Sequence, residues 1–171
     1  KSEQQLTTRA SFDALTELYN RETIESQIDN EITLSEARKS EMAVLFIDVD
    51  DFKHYNDQYS HATGDQVLKF VARTIKGTVN EFGFAGRYGG DEFIACIRNA
   101  EINDPTRAAQ DIISKLEEGF ECDGVHLTVS VSIGISMIKD DYNTRVEYII
   151  GKADDAMYSV KKNGKSNYAF I

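Results

Sequence analysis

The sequence is poor in proline and cysteine, has no tryptophan and contains no long apolar run. Its 171 residues include one proline, two cysteines and no tryptophan. A hydrophobic content of 41% with so little proline argues against disorder and is sufficient for one domain with a core. Apolar runs stay far below the ~18 residues that a membrane-spanning helix needs. The first residues also lack the pattern of a signal peptide.

Positive charge is scarce as well. The chain has 19 Lys and Arg residues against 29 Asp and Glu residues, which gives a formal net charge of −10. A general nucleic-acid-binding surface would be basic, so we expect no nucleic-acid partner. A nucleotide substrate is still compatible with this charge, because a metal ion can neutralise phosphates locally.

The two cysteines suggest the cellular compartment of the protein, and the first residue suggests a longer chain. Cys96 and Cys122 do not have the spacing of metal ligands, so we expect reduced thiols in a cytoplasmic protein, or in the cytoplasmic end of a membrane-anchored one. The chain starts at Lys1 without an initiator methionine, which suggests a piece of a longer protein. We expect residues 1–12 to be a linker or helix that follows an upstream sensor domain, and residues 13–171 to form one folded domain.

Residues 87–93, Arg-Tyr-Gly-Gly-Asp-Glu-Phe, are the most informative stretch that is present. Two glycines directly precede two carboxylates, and β-prone runs lie on both sides, which predicts a hairpin. A glycine pair lets the backbone approach a bulky ligand, and adjacent acids suit a divalent metal and phosphates. An ordinary turn with solvated acids fits the local pattern equally well.

A second acidic cluster follows residues 42–47, an apolar run of six that predicts a strand buried on both faces. Asp-Val-Asp-Asp at 48–51 comes directly after this run, and α/β folds commonly bind ligands at such strand ends. A solvated turn is the simpler alternative. An EF-hand calcium loop is excluded, because its fifth, sixth and twelfth positions would be Phe52, Lys53 and Tyr59.

The remaining pattern predicts an α/β fold. Helices are expected near residues 20–39, 62–78, 105–119 and 145–162, and strands near 42–48, 82–88, 91–98 and 127–136. Alternating strands and helices with one hairpin indicate a single domain with a mixed, mostly antiparallel central sheet flanked by helices.

Five segments together resemble the GGDEF family of diguanylate cyclases. The similarity covers nearly the whole chain, and the segments occur in the family's order with matching gaps. They are residues 13–21, residues 48–57 with His61, Gly64, Asp65 and Leu68, the intact signature at 87–93, residues 129–135, and residues 153–158 with Lys161 and Gly164. The resemblance implies a fold related to the palm of polymerases and to nucleotidyl cyclases.

The resemblance also implies a reaction, the condensation of two GTP molecules into cyclic di-GMP with release of two pyrophosphates. Its metal ligands match Asp48, the Val49 carbonyl and Asp91, which would hold Mg²⁺ or Mn²⁺, two ions per active site. Asp91 also matches the acid that helps to deprotonate the attacking hydroxyl. Glu92 would support the metal or the base, unless it faces outward. Lys53 matches a lysine that stabilises phosphate charge, although a lone helix lysine is usually solvated.

The substrate-binding residues follow from the same match. Asn56 and Asp65 match the pair that reads the guanine edge, and an aspartate there favours GTP over ATP. His61 would contact substrate or serve only as a structural residue at a helix start. Backbone at Gly89 and Gly90 would approach the phosphates. Lys161 and Lys165 match a Lys/Arg pair for the terminal phosphates, with lysine in place of the usual arginine at 165.

Two further expectations concern regulation. Many relatives carry an inhibitory product site, Arg-x-x-Asp, five residues before the Gly-Gly pair, where this chain has Asn80 and Gly83. Feedback inhibition by that site should therefore be absent. Because the product needs two reciprocal attacks, turnover should require a homodimer. Two other readings stay open: a catalytically silent GTP-binding module that acts through partner contacts, and a related cyclic dinucleotide synthase.

Overall fold

The computed structural model of the protein describes residues 10–171. The expectation for the N-terminal linker falls mostly on residues 1–9, which lie outside the described part. The helices are α1 (Arg21–Arg38), α2 (Phe52–Gln58), α3 (His61–Val79), α4 (Pro105–Glu118) and α5 (Val146–Lys162). The strands are β1 (Met42–Val49), β2 (Gly83–Arg87), β3 (Glu92–Arg98), β4 (Phe120–Cys122), β5 (Val125–Leu127), β6 (Val131–Ile138) and β7 (Tyr168–Phe170).

A five-stranded sheet organises the domain, with the strand order β2-β3-β1-β6-β7. Strand β1 pairs antiparallel with both β3 and β6, and β2 pairs antiparallel with β3. Only the β6–β7 pair is parallel among the pairs of this sheet. The predicted α/β domain with a mixed, mostly antiparallel sheet flanked by helices is therefore confirmed.

Helices cover the sheet on both faces. Alternate residues of β1, such as Leu45 and Ile47, pack with α3 and α4 in one apolar cluster. The residues between them, such as Val44 and Phe46, pack with α1 and α5 in a second cluster. Successive side chains of a strand point to opposite faces, so a strand that is covered on both sides is apolar throughout. This is why residues 42–47 form an unbroken hydrophobic run.

The structure differs from the sequence prediction in its short elements. The strand predicted near 127–136 is displaced, because β6 begins only at Val131 and residues 125–127 pair with β4 in a separate two-stranded sheet. Helix α2 was not predicted. It has seven residues, none of them buried, so it has no apolar face that a periodicity could reveal. The three-residue strands β4, β5 and β7 are too short for a pattern of their own.

The structure also describes the two cysteines and the apolar character of the helices. Cys96 and Cys122 are both free thiols. Cys96 is fully buried in β3, and burial raises the pKa of its thiol far above the ordinary value. Within residues 10–171, no helix combines the length and the apolar character that crossing a membrane would require.

Candidate active site

The two acidic clusters meet at one end of the sheet. Asp48, near the end of β1, is paired in register with Glu92, the first residue of β3. The backbone N–H of Val49 donates to the carbonyl of Asp91 at 3.1 Å. Segments 43 residues apart in sequence thus become adjacent, because the β2–β3 hairpin places its turn beside the carboxyl end of β1.

The negative charge of Asp48 is only partly compensated in this position, because the Lys161 ammonium lies 3.6 Å from its Oδ2 atom. Its Oδ1 atom is buried and has no hydrogen-bond partner among the residues that the structure describes. Burial, together with the nearby charge of Asp91, raises the pKa of Asp48 to about 7, although the Lys161 ammonium opposes the rise. An unpartnered buried carboxylate oxygen is costly unless a cation or donor compensates it. The Oδ1 atom of Asp48 is therefore available to bind a cation.

The residues around Asp48 fit a divalent metal ion. Carboxylate and carbonyl oxygens are the ligands that Mg²⁺ prefers, usually one or two carboxylates completed by phosphate and water. Asp48, the Val49 carbonyl and Asp91 offer that set at one strand end. No group of three or more His, Cys, Asp or Glu side chains suited to a metal occurs between residues 10 and 171. A site with two carboxylates and one backbone carbonyl does not need such a group.

A pocket of about 370 Å³ lies beside this strand end. Six residues that the sequence singled out line it together: Lys53, Asn56, His61, Asp65, Gly90 and Asp91. Arg87 and two apolar side chains, Phe52 and Leu68, complete the lining. The pocket combines a lysine, amide and carboxylate groups with apolar surface, a combination that suits a base with attached phosphates.

Helices α2 and α3 form one wall of the pocket, and their close approach depends on Gly64. A Cβ atom at Gly64 would overlap Oδ1 of Asn56. The absence of a side chain at 64 therefore lets the Asn56 amide lie against α3 beside Asp65. His61 is the first residue of α3, directly after Ser60, whose hydroxyl accepts a hydrogen bond from the Thr63 amide at 3.1 Å. The helix start that presents His61 is thus capped by its neighbour.

Arg87 fixes the Gly-Gly turn through hydrogen bonds to its carbonyl groups, a role that the sequence did not predict. Its guanidinium donates to the Gly90 carbonyl at 2.8 Å and to the Gly89 carbonyl at 3.2 Å. The same group lies 3.3 Å from both carboxylate oxygens of Asp13. Although burial raises it, hydrogen bonds from Thr16 and the charge of Arg87 hold the pKa of Asp13 below its usual value. The segment of residues 13–21 is thereby connected to the Gly-Gly turn through Asp13.

The two glycines of the turn have different surroundings. A Cβ at Gly89 would overlap Oε1 of Glu92, so the Glu92 side chain folds back over Gly89. A Cβ at Gly90 would meet nothing within 4 Å, so its backbone faces open space. Gly90 lines the pocket and is free to meet a ligand, whereas Gly89 is covered. Burial, with the charges of Asp91 and Asp154, also raises the pKa of Glu92.

The two C-terminal lysines lie outside the pocket lining. The Lys161 ammonium is 2.9 Å from Asp50 Oδ1, 3.3 Å from the Val49 carbonyl and 3.6 Å from Asp48 Oδ2. The Lys165 ammonium pairs with the exposed carboxylate of Asp51 at 2.9 Å. An exposed ion pair of this kind is weak, so a phosphate could replace Asp51 as the partner of Lys165.

Asp50 is the second residue whose role the sequence did not reveal. Its side chain is only 2% exposed and accepts hydrogen bonds from the Ser130 and Ser132 hydroxyls at 2.6 and 2.7 Å. Although burial raises it, hydrogen bonds from Ser130, Ser132 and Lys161 hold the pKa of Asp50 below its ordinary value. The only signal in the sequence is the position of Asp50 in an acidic cluster after a buried strand, which does not separate a buried acid from a solvated one.

The strand edge upstream of the turn lacks room for an acidic side chain. Asn80 follows α3 as its C-terminal cap residue, and Gly83 begins β2. A Cβ at Gly83 would overlap the backbone carbonyl of Cys96 on the neighbouring strand. With this backbone, position 83 therefore cannot carry the carboxylate of an Arg-x-x-Asp site.

Comparison with known proteins gives consistent matches along the chain. The family described as "Diguanylate cyclase, GGDEF domain" matches residues 10–167. The bifunctional diguanylate cyclase/cyclic di-GMP phosphodiesterase MucR of Pseudomonas aeruginosa is 34% identical over 171 residues, which is all of this chain and 25% of that protein. Diguanylate cyclase A of Treponema denticola is 38% identical over 136 residues, 79% of this chain and 36% of that protein. The chain thus spans about a quarter and about a third of these relatives.

Solved structures resemble the fold closely. The GGDEF domain of YfiN from Pseudomonas aeruginosa superposes with a TM-score of 0.86 at 32% identity, and the match covers 93% of each chain. The GGDEF domain of DgcB from Caulobacter crescentus, solved in complex with c-di-GMP, gives a TM-score of 0.86 at 25% identity. That match covers 94% of this chain and 95% of the DgcB chain.

Proposed function

Because this chain belongs to the GGDEF domain family of diguanylate cyclases, we propose that it condenses two GTP molecules into cyclic di-GMP. In each half-reaction the ribose 3′-hydroxyl of one GTP attacks the α-phosphorus of the other. A new P–O bond forms, the bond to the β-phosphate oxygen breaks, and pyrophosphate leaves. The proton of the hydroxyl passes to a base, a role that we assign to Asp91 because it lines the pocket beside the strand end.

The observation that carries this proposal is the shared pocket of about 370 Å³. It brings Lys53, Asn56, His61, Asp65 and Asp91 together from α2, α3 and the hairpin turn. We assign Asp65 and Asn56 to the guanine edge, because a carboxylate accepts from the ring N–H and amino group while an amide serves the remaining polar atoms. Lys53 then faces the phosphates, whose charge it would neutralise.

The phosphate end of the substrate would lie toward Asp48. Asp48, the Val49 carbonyl and Asp91 would hold Mg²⁺ or Mn²⁺, and we propose two ions per site as in two-metal nucleotidyl transfer. A bound ion would polarise the α-phosphate and lower the charge on the leaving pyrophosphate. Lys161 and Lys165 would bind the terminal phosphates, and Glu92 would support the metal-facing side of the turn.

We propose that turnover requires two copies of this domain. One pocket can hold one GTP, whereas the product needs two reciprocal attacks. A symmetric dimer with the Gly-Gly turns opposed would satisfy both attacks, since an isologous arrangement presents each site to the other. The matched region makes up only 25% and 36% of these two relatives, and we propose that an upstream sensor or regulatory segment brings the two copies together.

Incubation of the purified protein with GTP and Mg²⁺, followed by mass spectrometry of the products, tests the proposal. We expect cyclic di-GMP and pyrophosphate, with specific activity rising with protein concentration because the dimer forms from monomers. Since position 83 has no room for a carboxylate, progress curves should stay linear as product accumulates. GTP binding without any product in a forced dimer would instead identify a binding module, and a mixed product from GTP and ATP would identify a different cyclic dinucleotide synthase.

A further inference from the structure

The Asp50 carboxylate joins four segments of the chain at the edge of the candidate metal site. It belongs to the turn after β1 and accepts hydrogen bonds from the Ser130 and Ser132 hydroxyls at 2.6 and 2.7 Å. The backbone N–H of Ser166, in the loop after α5, donates to it at 3.1 Å. The Lys161 ammonium completes the set at 2.9 Å. All four donors satisfy a carboxylate that is 2% exposed, so Asp50 itself has no free position for a metal.

Unlike Asp50, the Lys161 ammonium contacts the candidate metal ligands directly. Of its three oxygen neighbours, the Val49 carbonyl at 3.3 Å and Asp48 Oδ2 at 3.6 Å belong to the candidate metal ligands. Asp50 Oδ1, at 2.9 Å, is the nearest of the three and is not a candidate ligand. A divalent cation that took the first two oxygens would repel the ammonium, because like charges at this separation are unfavourable. Lys161 would then depend on Asp50 to stay in place.

We propose that Asp50 is a positioning residue, whose carboxylate keeps Lys161 anchored while Asp48 and the Val49 carbonyl bind the metal ion. The inference rests on the proposed function, specifically on the assignment of Asp48 and Val49 as metal ligands. Without Asp50, the nearest carboxylate to Lys161 would be Asp48. The ammonium and the metal would then compete for the same oxygens, and metal binding would weaken.

A purely structural role for Asp50 predicts a different dependence of metal binding on Lys161. Asp50 also links the start of β6 to the loop after α5 through Ser130, Ser132 and Ser166. If that linkage were its only role, loss of Asp50 would weaken metal binding by the same factor whether or not Lys161 is present. The two roles therefore separate in a double-mutant cycle.

The experiment measures Mn²⁺ binding to the full chain without nucleotide, from the EPR signal of the free ion. We expect Asp50→Asn to weaken Mn²⁺ binding by about tenfold or more, because the ammonium would then compete with the ion for Asp48 and the Val49 carbonyl, and substitutions just outside the metal ligands commonly have effects of this size. In a Lys161→Met background the same substitution should change Mn²⁺ affinity by less than about threefold, because the competing ammonium is gone. An equal loss in both backgrounds would overturn the proposal.

Ser132→Ala is the matched control. It removes one of the hydrogen bonds to Asp50 but leaves the charge that holds Lys161. We expect Mn²⁺ affinity within about twofold of the unmodified protein and a small loss in thermal stability, since one of the hydrogen bonds to the Asp50 carboxylate is lost. A loss of Mn²⁺ affinity as large as that of Asp50→Asn would overturn the assignment of the effect to Lys161.

A measurement on the unmodified protein keeps the inference testable even where Asp50→Asn fails to fold. Lysine acetylation followed by mass spectrometry reports how well each ammonium is held, and Lys165, with its exposed partner, serves as the internal reference. Saturating Mg²⁺ should leave the acetylation rate of Lys161 unchanged within about twofold, because Asp50 retains the ammonium. A several-fold faster reaction of Lys161 with Mg²⁺ would show displacement and overturn the proposal. Neither readout needs GTP, so failure of cyclic di-GMP synthesis would be distinguishable from failure of this inference.

Discussion

Replacing Asp48 by asparagine should stabilise the metal-free protein while removing its metal site. The wild-type carboxylate has one oxygen buried without a partner, and it lies near Asp91 and Glu92. Asparagine keeps the shape but removes the charge, so the repulsion disappears. The contact with Lys161 is lost as well, but its 3.6 Å separation is longer than the 2.9 Å contact with Asp50, which remains.

The size of the effect follows from the acidity of Asp48. A pKa of about 7 in place of 3.8 corresponds to an upper bound of about 4 kcal/mol on the cost of ionising the buried group at high pH. Relaxation and the partial exposure of the side chain, 18%, reduce that cost. We therefore expect Asp48→Asn to raise the free energy of unfolding by about 1–3 kcal/mol at pH 8 in EDTA, or Tm by roughly 3–10 °C for a domain of this size.

The pH dependence provides the sharper test. The folded-state pKa of Asp48 lies above the unfolded value, so the folded protein binds the proton more tightly. The contribution of Asp48 to stability is fully present below about pH 4 and is lost as the pH rises through about 7. The advantage of Asp48→Asn should accordingly be near zero at pH 4 and reach its plateau above pH 8.

The assay is urea denaturation of both proteins in EDTA across that pH range, with Asp29→Asn, an exposed position on α1, as the matched control. The control should show no pH-dependent gain. Adding Mg²⁺ should reverse the order, because only the wild-type site gains stability from the ion. A loss of stability for Asp48→Asn at pH 8 in EDTA would refute the reasoning, since it would mean that Lys161 already compensates the charge.

Three further substitutions test the pocket. Asp91→Asn should lower kcat by about 100-fold or more, since a metal ligand and base is lost without a change of shape; steady-state turnover with near-normal kcat would contradict this. Asp65→Ala should weaken GTP binding by ~1–3 kcal/mol and leave ATP binding unchanged, as measured by calorimetry, because only guanine presents the donor pair; an equal loss for both would make Asp65 structural. Gly64→Ala should raise the KM for GTP several-fold, because its new Cβ would displace the Asn56 amide. Gly77→Ala, on the same helix with nothing within 4 Å, should leave KM unchanged, and equal effects of the two would refute the packing argument.

Local patterns in the sequence were sufficient to predict the long elements and the two acidic clusters. Residues 42–47 are apolar throughout because both faces of β1 are covered, and α5 repeats its buried residues at helical spacing because one face packs on the sheet. The hairpin around the Gly-Gly pair was predicted from its turn residues and is confirmed. These features depend on neighbours within a few residues, so the order of residue types determines them.

Only the tertiary structure determined which of those residues lie together, and how each one is buried and hydrogen-bonded. Asp48, Asp50 and Asp51 are near neighbours in sequence, yet one has an unpartnered buried oxygen, one is fully hydrogen-bonded and one is exposed beside Lys165. Their partners come from the start of β6 and the residue before it, from α5 and from the loop after α5, at least 80 residues away in sequence for the contacts of Asp50. Burial and hydrogen bonding depend on such distant contacts, which no local pattern encodes. The sequence could therefore indicate an acidic ligand site, while the fold alone determined how deeply each carboxylate is buried and which donors it meets.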